Sequence, residues 1–199
     1  MKRNDIIAAL VIGEVVSLFL LAILRNIEIE TGGVIFGVLP VTFPILSVFG
    51  LWLAYLISKK ILIVWQIAKF VLVGALNTFI DLGVLNFLIF TSGIVSGLFY
   101  SIFKGISFTI ASTNSYFWNK FWTFESKKAV ERREFSQFFL ISIVGLLINV
   151  SVASLIVNII GPQFGLSPEI WANIGAIGAT FAGMTWNFLG YKFWVFQPR

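Results

Sequence analysis

Six apolar stretches occupy most of this chain, at about residues 5–24, 38–58, 67–91, 98–118, 136–160 and 169–190. Each is close to the roughly 20 residues a helix needs to cross the hydrocarbon core of a bilayer. Lipid offers no water to unpaired backbone groups, so the stretches are expected to be helical. The fold class read from this pattern is all-α, a polytopic transmembrane helix bundle of six helices. A water-facing fold fails on composition, because 58% of the residues are hydrophobic and only 12% are charged. The breaks carry turn chemistry. Gly93 and Gly97 separate the third stretch from the fourth, and Gly161, Pro162, Gly165 and Pro168 separate the fifth from the sixth. Pro40 and Pro44 open the second stretch, where Pro44 is a place for a kink. The first stretch follows Lys2 and Arg3 in the manner of a signal peptide. It runs into Arg25 and Glu28 rather than a small-residue cleavage site, and is read as a retained helix.

Of the 14 Lys and Arg residues, all but Arg25 and Lys104 fall on one side of this topology. The excess of positive charge places both termini in the cytoplasm, for an integral protein of the cell membrane. The net charge of +5 therefore belongs to topology and not to a nucleic-acid partner. Cysteine and histidine are absent. Disulfides, thiolate chemistry, the commonest general base and the commonest metal ligand go with them. No carboxylate pair is spaced for acid–base work, and no Gly-rich phosphate loop follows a strand. The chain is expected to be neither an enzyme nor a metal or cofactor carrier.

One phrase is written twice. NSYFWNKFWTF spans 114–124 and WNFLGYKFWVF spans 186–196. Setting Asn119 against Tyr191 pairs Lys120 with Lys192, Phe121 with Phe193, Trp122 with Trp194 and Phe124 with Phe196. QIAKFVLVGALNTFID (66–81) likewise echoes EFSQFFLISIVGLLIN (134–149), with Phe70 on Phe138, Gly74 on Ser142 and Asp81 on Asn149. These echoes define two helical hairpins, 66–124 and 134–196, expected to form a parallel repeat about an axis along the membrane normal. Residues 1–65 are then a two-helix addition to a four-helix domain, 66–199. Trp118, Trp122, Trp186 and Trp194 suit headgroup depth, where Lys120 and Lys192 can reach lipid phosphates. An aromatic belt explains the tryptophans. It does not require Lys-Phe-Trp-x-Phe twice.

Away from the ends of the stretches stand Glu14, Asp81 and Lys104. A charge at the bilayer centre costs roughly 2.5–3.5 kcal/mol, so such groups are expected to face protein or water. Asp81 and Lys104 lie on the two helices of the first hairpin. At about 1.5 Å rise per residue their depths differ by roughly 5 Å, within reach of a lysine stem. An ion pair is expected, serving either to lock the hairpin or to let Lys104 exchange between Asp81 and a substrate phosphate. The second hairpin has Asn149 and Ala176 at the corresponding places. One asymmetric polar cavity lined by both hairpins is therefore expected. Asn77, Asn114, Asn149, Asn173 and Asn187 also lie within spans, where amides commonly join helices. Asn77 stands one turn before Asp81, and Asn114 shares a face with Lys104, which makes these two the better cavity candidates. Glu14 receives no role. Gly175, Gly178, Ala182 and Gly183 read as a packing face of the sixth helix.

FVLVGALNTFID, then Lys104-Gly-Ile-Ser-Phe, then NSYFWNKFWTF, resembles the GtrA-like family of small membrane proteins. The resemblance covers 70–124 and 138–196. Two positions depart from the family pattern: Lys120 stands where arginine is usual, and Tyr191 where asparagine is expected. The resemblance implies four helices serving glycan assembly, by moving a polyprenyl-phosphate-linked sugar across the membrane. It also implies an alternative, anchoring or stabilising a polyprenyl-phosphate glycosyltransferase. The residues singled out that fit substrate binding in the first role are Asp81, Lys104, Asn77, Asn114, Asn119, Lys120, Asn149, Asn187 and Lys192. The implied partners are the sugar lipid and a membrane glycosyltransferase, and the added helices leave a homo-oligomer open. A third reading is a small proton-coupled exporter using Glu14 or Asp81.

Overall fold

The computed structural model describes residues 1–26, 33–94, 97–166 and 168–196; the side chains of Lys104 and Asn173 lie outside the description. Among the described residues the secondary structure is helical, without strands. In chain order the elements are α1 (Arg3–Asn26), α2 (Gly33–Ser58), α3 (Ile63–Ser92), α4 (Gly97–Trp118), a π-helical turn π1 (Asn119–Thr123), α5 (Arg132–Ser154), π2 (Leu155–Ile160), α6 (Pro168–Gly190) and π3 (Tyr191–Val195). Among the described residues, four stretches are long and apolar enough to cross a membrane: Arg3–Ala22, Ile35–Ser58, Ile63–Ser92 and Arg132–Val152.

The breaks form where glycine permits them. Gly93 ends α3 in the left-handed region, at φ +69°, and its N–H donates to the Ile89 carbonyl at 2.8 Å. A left-handed glycine at that position satisfies one of the carbonyls a helix end leaves open. Gly161 and Gly165 also take positive φ after π2. α2 runs through both Pro40 and Pro44 without ending.

Two compact units result, Met1–Glu125 and Ser126–Arg199. The helices read as an addition thus share a unit with the first hairpin. Its core is built on Ile12 and Val16 of α1 and Leu76 of α3, joined by Phe43, Phe79, Trp118 and Trp122. Small residues set how closely α1 meets α2. A Cβ on Gly13 would lie 2.5 Å from Pro44 Cα and 2.7 Å from the Phe43 carbonyl oxygen. In the second unit α5 and α6 approach in the same way. A Cβ on Gly183 would meet the Gly145 carbonyl at 3.0 Å, and one on Gly190 would meet the Ile141 side chain. Gly183 is thus part of a packing face, as its composition suggested; the side chain at 175 lies outside the described residues.

Gly13→Val is expected to destabilise the first unit, because backbone atoms of α2 have to move to admit the new side chain. The loss should be of the order of 1–3 kcal/mol, typical of overpacking. Thermal unfolding of the purified protein in detergent reads it, and an unchanged midpoint would refute the close approach.

Candidate functional site

The twice-written phrase folds the same way twice. π1 closes with the Phe124 N–H donating to the Asn119 carbonyl, and π3 with the Phe196 N–H donating to the Tyr191 carbonyl, each at 2.8 Å. The five-residue spacing of these bonds is that of a π turn, a form common at functional sites. In the first copy Lys120 Nζ lies 5.8 Å from the Tyr116 ring and 5.9 Å from Phe121. In the second, Lys192 Nζ lies 5.7 Å from Phe188 and 5.8 Å from Phe193. Each lysine therefore sits by the ring four residues back and the ring one residue on, at cation–π range. This supplies a reason for the order of the residues that a belt lacks.

The surroundings of the two copies differ. Lys120 is completely buried, whereas Lys192 is half-buried. The expectation that Lys120 snorkels to lipid phosphate is therefore corrected, because the π turn holds its ammonium within the protein against Tyr116. Asn119 beside it is buried, and its Nδ2 donates to the Ser115 carbonyl at 2.9 Å and to Ser115 Oγ at 3.2 Å. Asn119 Oδ1 and Thr123 Oγ1, both on π1, are buried without a hydrogen-bond partner. Leaving such a group unpaired costs about 1–3 kcal/mol, and each instance asks for an explanation.

Below π1, toward the middle of the first unit, α3 and α4 are joined by polar rungs. Asn114 Nδ2 donates to Asn77 Oδ1 at 2.8 Å. Deeper by one turn of α3, Ser107 Oγ donates to Asp81 Oδ1 at 2.6 Å. Ser107 is buried, while Asn77, Asp81 and Asn114 are half-buried. The two asparagines singled out by helical spacing thus meet each other. The expected Asp81–Lys104 pair falls on a side chain outside the described residues. Glu14 is half-buried, and its backbone carbonyl accepts from Ser17 Oγ at 2.8 Å.

The second unit joins its helices by aromatic stacking together with hydrogen bonds from ring groups. Tyr191 stacks on Phe138 at 4.1 Å between centroids, and its hydroxyl shares a 2.6 Å hydrogen bond with Ser142. Trp186 Nε1 donates to the Ile141 carbonyl at 3.2 Å. Asn149 lies against Gly183, and the Asn187 carboxamide lies on Gly145 with its Oδ1 buried and unpartnered. Tyrosine in place of asparagine at 191 therefore has a local cause: its ring completes the stack on Phe138.

Sequence reading missed the most heavily charged cluster. Lys69 is 1% exposed. Its ammonium lies 3.0 Å from Asp5 Oδ1 and 3.1 Å from Glu125 Oε1, donates to the Trp122 carbonyl at 3.2 Å, and lies 4.9 Å from the Trp65 ring. Trp122 Nε1 donates to the same Asp5 oxygen at 3.1 Å. Asp5 is buried and also accepts from the Lys2 N–H at 2.9 Å. Glu125 reaches its place through a left-handed backbone, φ +48°, and also meets Lys2 at 3.3 Å. The Lys69 hydrogen bond, working against desolvation and helped by its charge, holds the Glu125 carboxyl below the usual carboxylate range. Lys69 had been counted among the flanking positive charges. Trp65 one turn before it was the available signal that its ammonium faces rings rather than water.

The family model described as the GtrA/DPMS transmembrane domain matches residues 69–196. An uncharacterized membrane protein, YngA of Bacillus subtilis strain 168, is 35% identical over 130 residues, which are 65% of this chain and 78% of that protein. No solved structure matches the chain.

Two outcomes are expected at the charged cluster. Lys69→Met leaves Asp5 buried beside Trp122 without its cation, and the loss should be about 3–5 kcal/mol. Asp5→Asn combined with Lys69→Met should recover part of it in detergent unfolding curves, since the stranded charge is gone. The pH dependence follows from Glu125. Its carboxyl is depressed below the ordinary 4.5 in the folded chain. It therefore contributes stability above that value, and the contribution is lost as pH falls through the lowered one. Glu125→Gln should flatten that acid limb of the unfolding midpoint, and an unaltered limb would show that Glu125 does not act there.

Proposed function

Because the chain belongs to the GtrA/DPMS transmembrane-domain family, an integral membrane family tied to polyprenyl-phosphate sugar processes, we propose that it translocates a polyprenyl-phosphate-linked sugar across the membrane. Family members are regarded as non-catalytic, and the reading needs no bond to be made or broken. The observation that carries it is the pair of rungs Asn77–Asn114 and Asp81–Ser107 on α3 and α4. Asn77 and Asp81 stand inside α3, a helix long and apolar enough to span a bilayer. Three of the four groups are half-buried, so they can trade partners without unfolding. A sugar hydroxyl crossing hydrocarbon must replace its lost water with hydrogen bonds of this kind. In this reading the headgroup steps from the orphaned Asn119 and Thr123 atoms at π1 down to Asn77 and Asp81, and the isoprenoid tail stays in lipid. Both termini lie on the cytoplasmic side, and the hairpins 66–124 and 134–196 form the repeat.

A second reading, anchoring of a membrane glycosyltransferase, draws on the different fates of the equivalent tryptophans. Trp122 is held by Asp5, whereas Trp194 is 58% exposed. An exposed Trp at the rim of a helix bundle suits a protein contact. Co-purification of a glycosyltransferase that Trp194→Ala abolishes, together with no flipping by the isolated chain, would decide for it.

In proteoliposomes carrying a fluorescent polyprenyl-phosphate sugar, Asn77→Leu with Asn114→Leu, and separately Asp81→Asn, should slow flipping about tenfold or more. That is the equivalent of one lost hydrogen bond to a charged or strongly polar group. Unfolding midpoints serve as the control for folding. Wild-type rates in both variants would overturn the translocation reading.

A further inference from the structure

The segment that leads into α5 sorts its charges by sign. From Glu125 to Glu134 the chain writes four cations and three acids, which nearly cancel along the sequence. Folding separates them. Lys127, Lys128, Arg132 and Arg133 are all exposed. Two of the acids are turned to other uses. Glu125 gives its carboxylate to Lys69 at 3.1 Å and to Lys2 at 3.3 Å. Glu134 is 7% exposed. Glu131 is exposed, and its side chain makes no capping bond to α5. The outward balance of residues 127–133 is thus four cations against one carboxylate. The helix itself gives the arginines no reason to stand in its first turn, because the dipole favours anions at that end. Their place is explained by an anion outside the chain. The bilayer is close by: the stretch of α5 that is long and apolar enough to cross a membrane begins at Arg132. The four cations are therefore tied to headgroup depth by the helix that follows them. Val130, between the lysine pair and the arginine pair, is 51% exposed. An aliphatic side chain among cations suits the boundary between headgroups and acyl chains better than it suits water.

We propose that residues 127–133 form a docking site for anionic phospholipid headgroups, with Lys127, Lys128, Arg132 and Arg133 on the phosphates and Val130 set among the upper acyl groups. A basic segment beside a spanning helix is drawn to an anionic leaflet by about fivefold in binding constant for each Lys or Arg. Lysine meets phosphate as a point charge and arginine as a planar fork. The partner is the lipid surface rather than an acidic protein, because the spanning stretch begins within the segment and holds it against the headgroups at all times. The site is separate from the rungs on α3 and α4 and does not depend on what the chain carries.

The chain has no cysteine, so Val130→Cys takes a single bimane label. The labelled full-length protein is placed in phosphatidylcholine vesicles and in vesicles that also contain phosphatidylglycerol in both leaflets. Acrylamide is the quencher, since a neutral molecule is neither gathered nor excluded by surface charge. Quenching should fall roughly threefold or more in the phosphatidylglycerol vesicles, and should return to the phosphatidylcholine value at high salt, where screening shortens the reach of the four cations. Lys127→Gln with Lys128→Gln should weaken the protection, and Glu131→Gln, which removes the exposed acid, should deepen it. The salt titration needs no charge variant, so its outcome does not turn on how such a variant folds. Protection that salt leaves in place overturns the proposal. Equal quenching in the two kinds of vesicle also overturns it, and leaves these charges to an acidic protein surface.

Discussion

A buried ammonium has to be answered by anions, and Lys69 is answered from both ends of its unit. Asp5 comes from the first turn of α1, and Glu125 from the residue that closes the unit after π1. Neither carboxylate is near Lys69 in sequence. The three can meet only when α1, the start of α3 and the end of α4 are gathered at one end of the unit. The Trp122 indole and carbonyl complete the set. Lys69 and Asp5 are both buried, so removing either leaves the other in a poorly solvated place, and the pair ties α1 to the start of α3. The cluster also explains why the compact unit ends at Glu125 and takes in the first two helices.

The same cluster separates the two copies of the repeated phrase. Both copies close a π turn, and both set a lysine between two rings. In the first copy the following tryptophan, Trp122, is bound to the Asp5 carboxylate of α1. The second copy spends its corresponding position on Tyr191, which stacks on Phe138 and hydrogen-bonds to Ser142. One hairpin is thus joined by Asn–Asn and Asp–Ser rungs and the other by a stacked tyrosine that hydrogen-bonds to serine.

The family and the helical class were legible because hydrophobic run length and the Lys-Phe-Trp-x-Phe order survive in one dimension. Asn77 and Asn114 were legible as candidates because helical spacing places them on faces that a hairpin brings together, and they meet. Asp81 was marked as needing a partner, and Ser107 is one that the count of charges alone did not suggest. Lys69 and Asp5 were passed over because each stands at the edge of an apolar run, where a charge is ordinarily solvated. Lys120 was read as snorkelling for the same reason. At such edges sequence gives depth along the helix axis but not direction around it.

What this chain's order of residues determined alone is local: which stretches are helical, where glycines let them turn, and which phrase recurs. These follow from backbone chemistry in a medium without water and from side chains only a few positions apart. What only the tertiary structure decided is which charged groups face inward. That depends on whether a partner from a distant segment arrives at the same depth, as Asp5 and Glu125 do for Lys69. The cost of burying a charge is set by its neighbours in space, and no spacing along the chain records them.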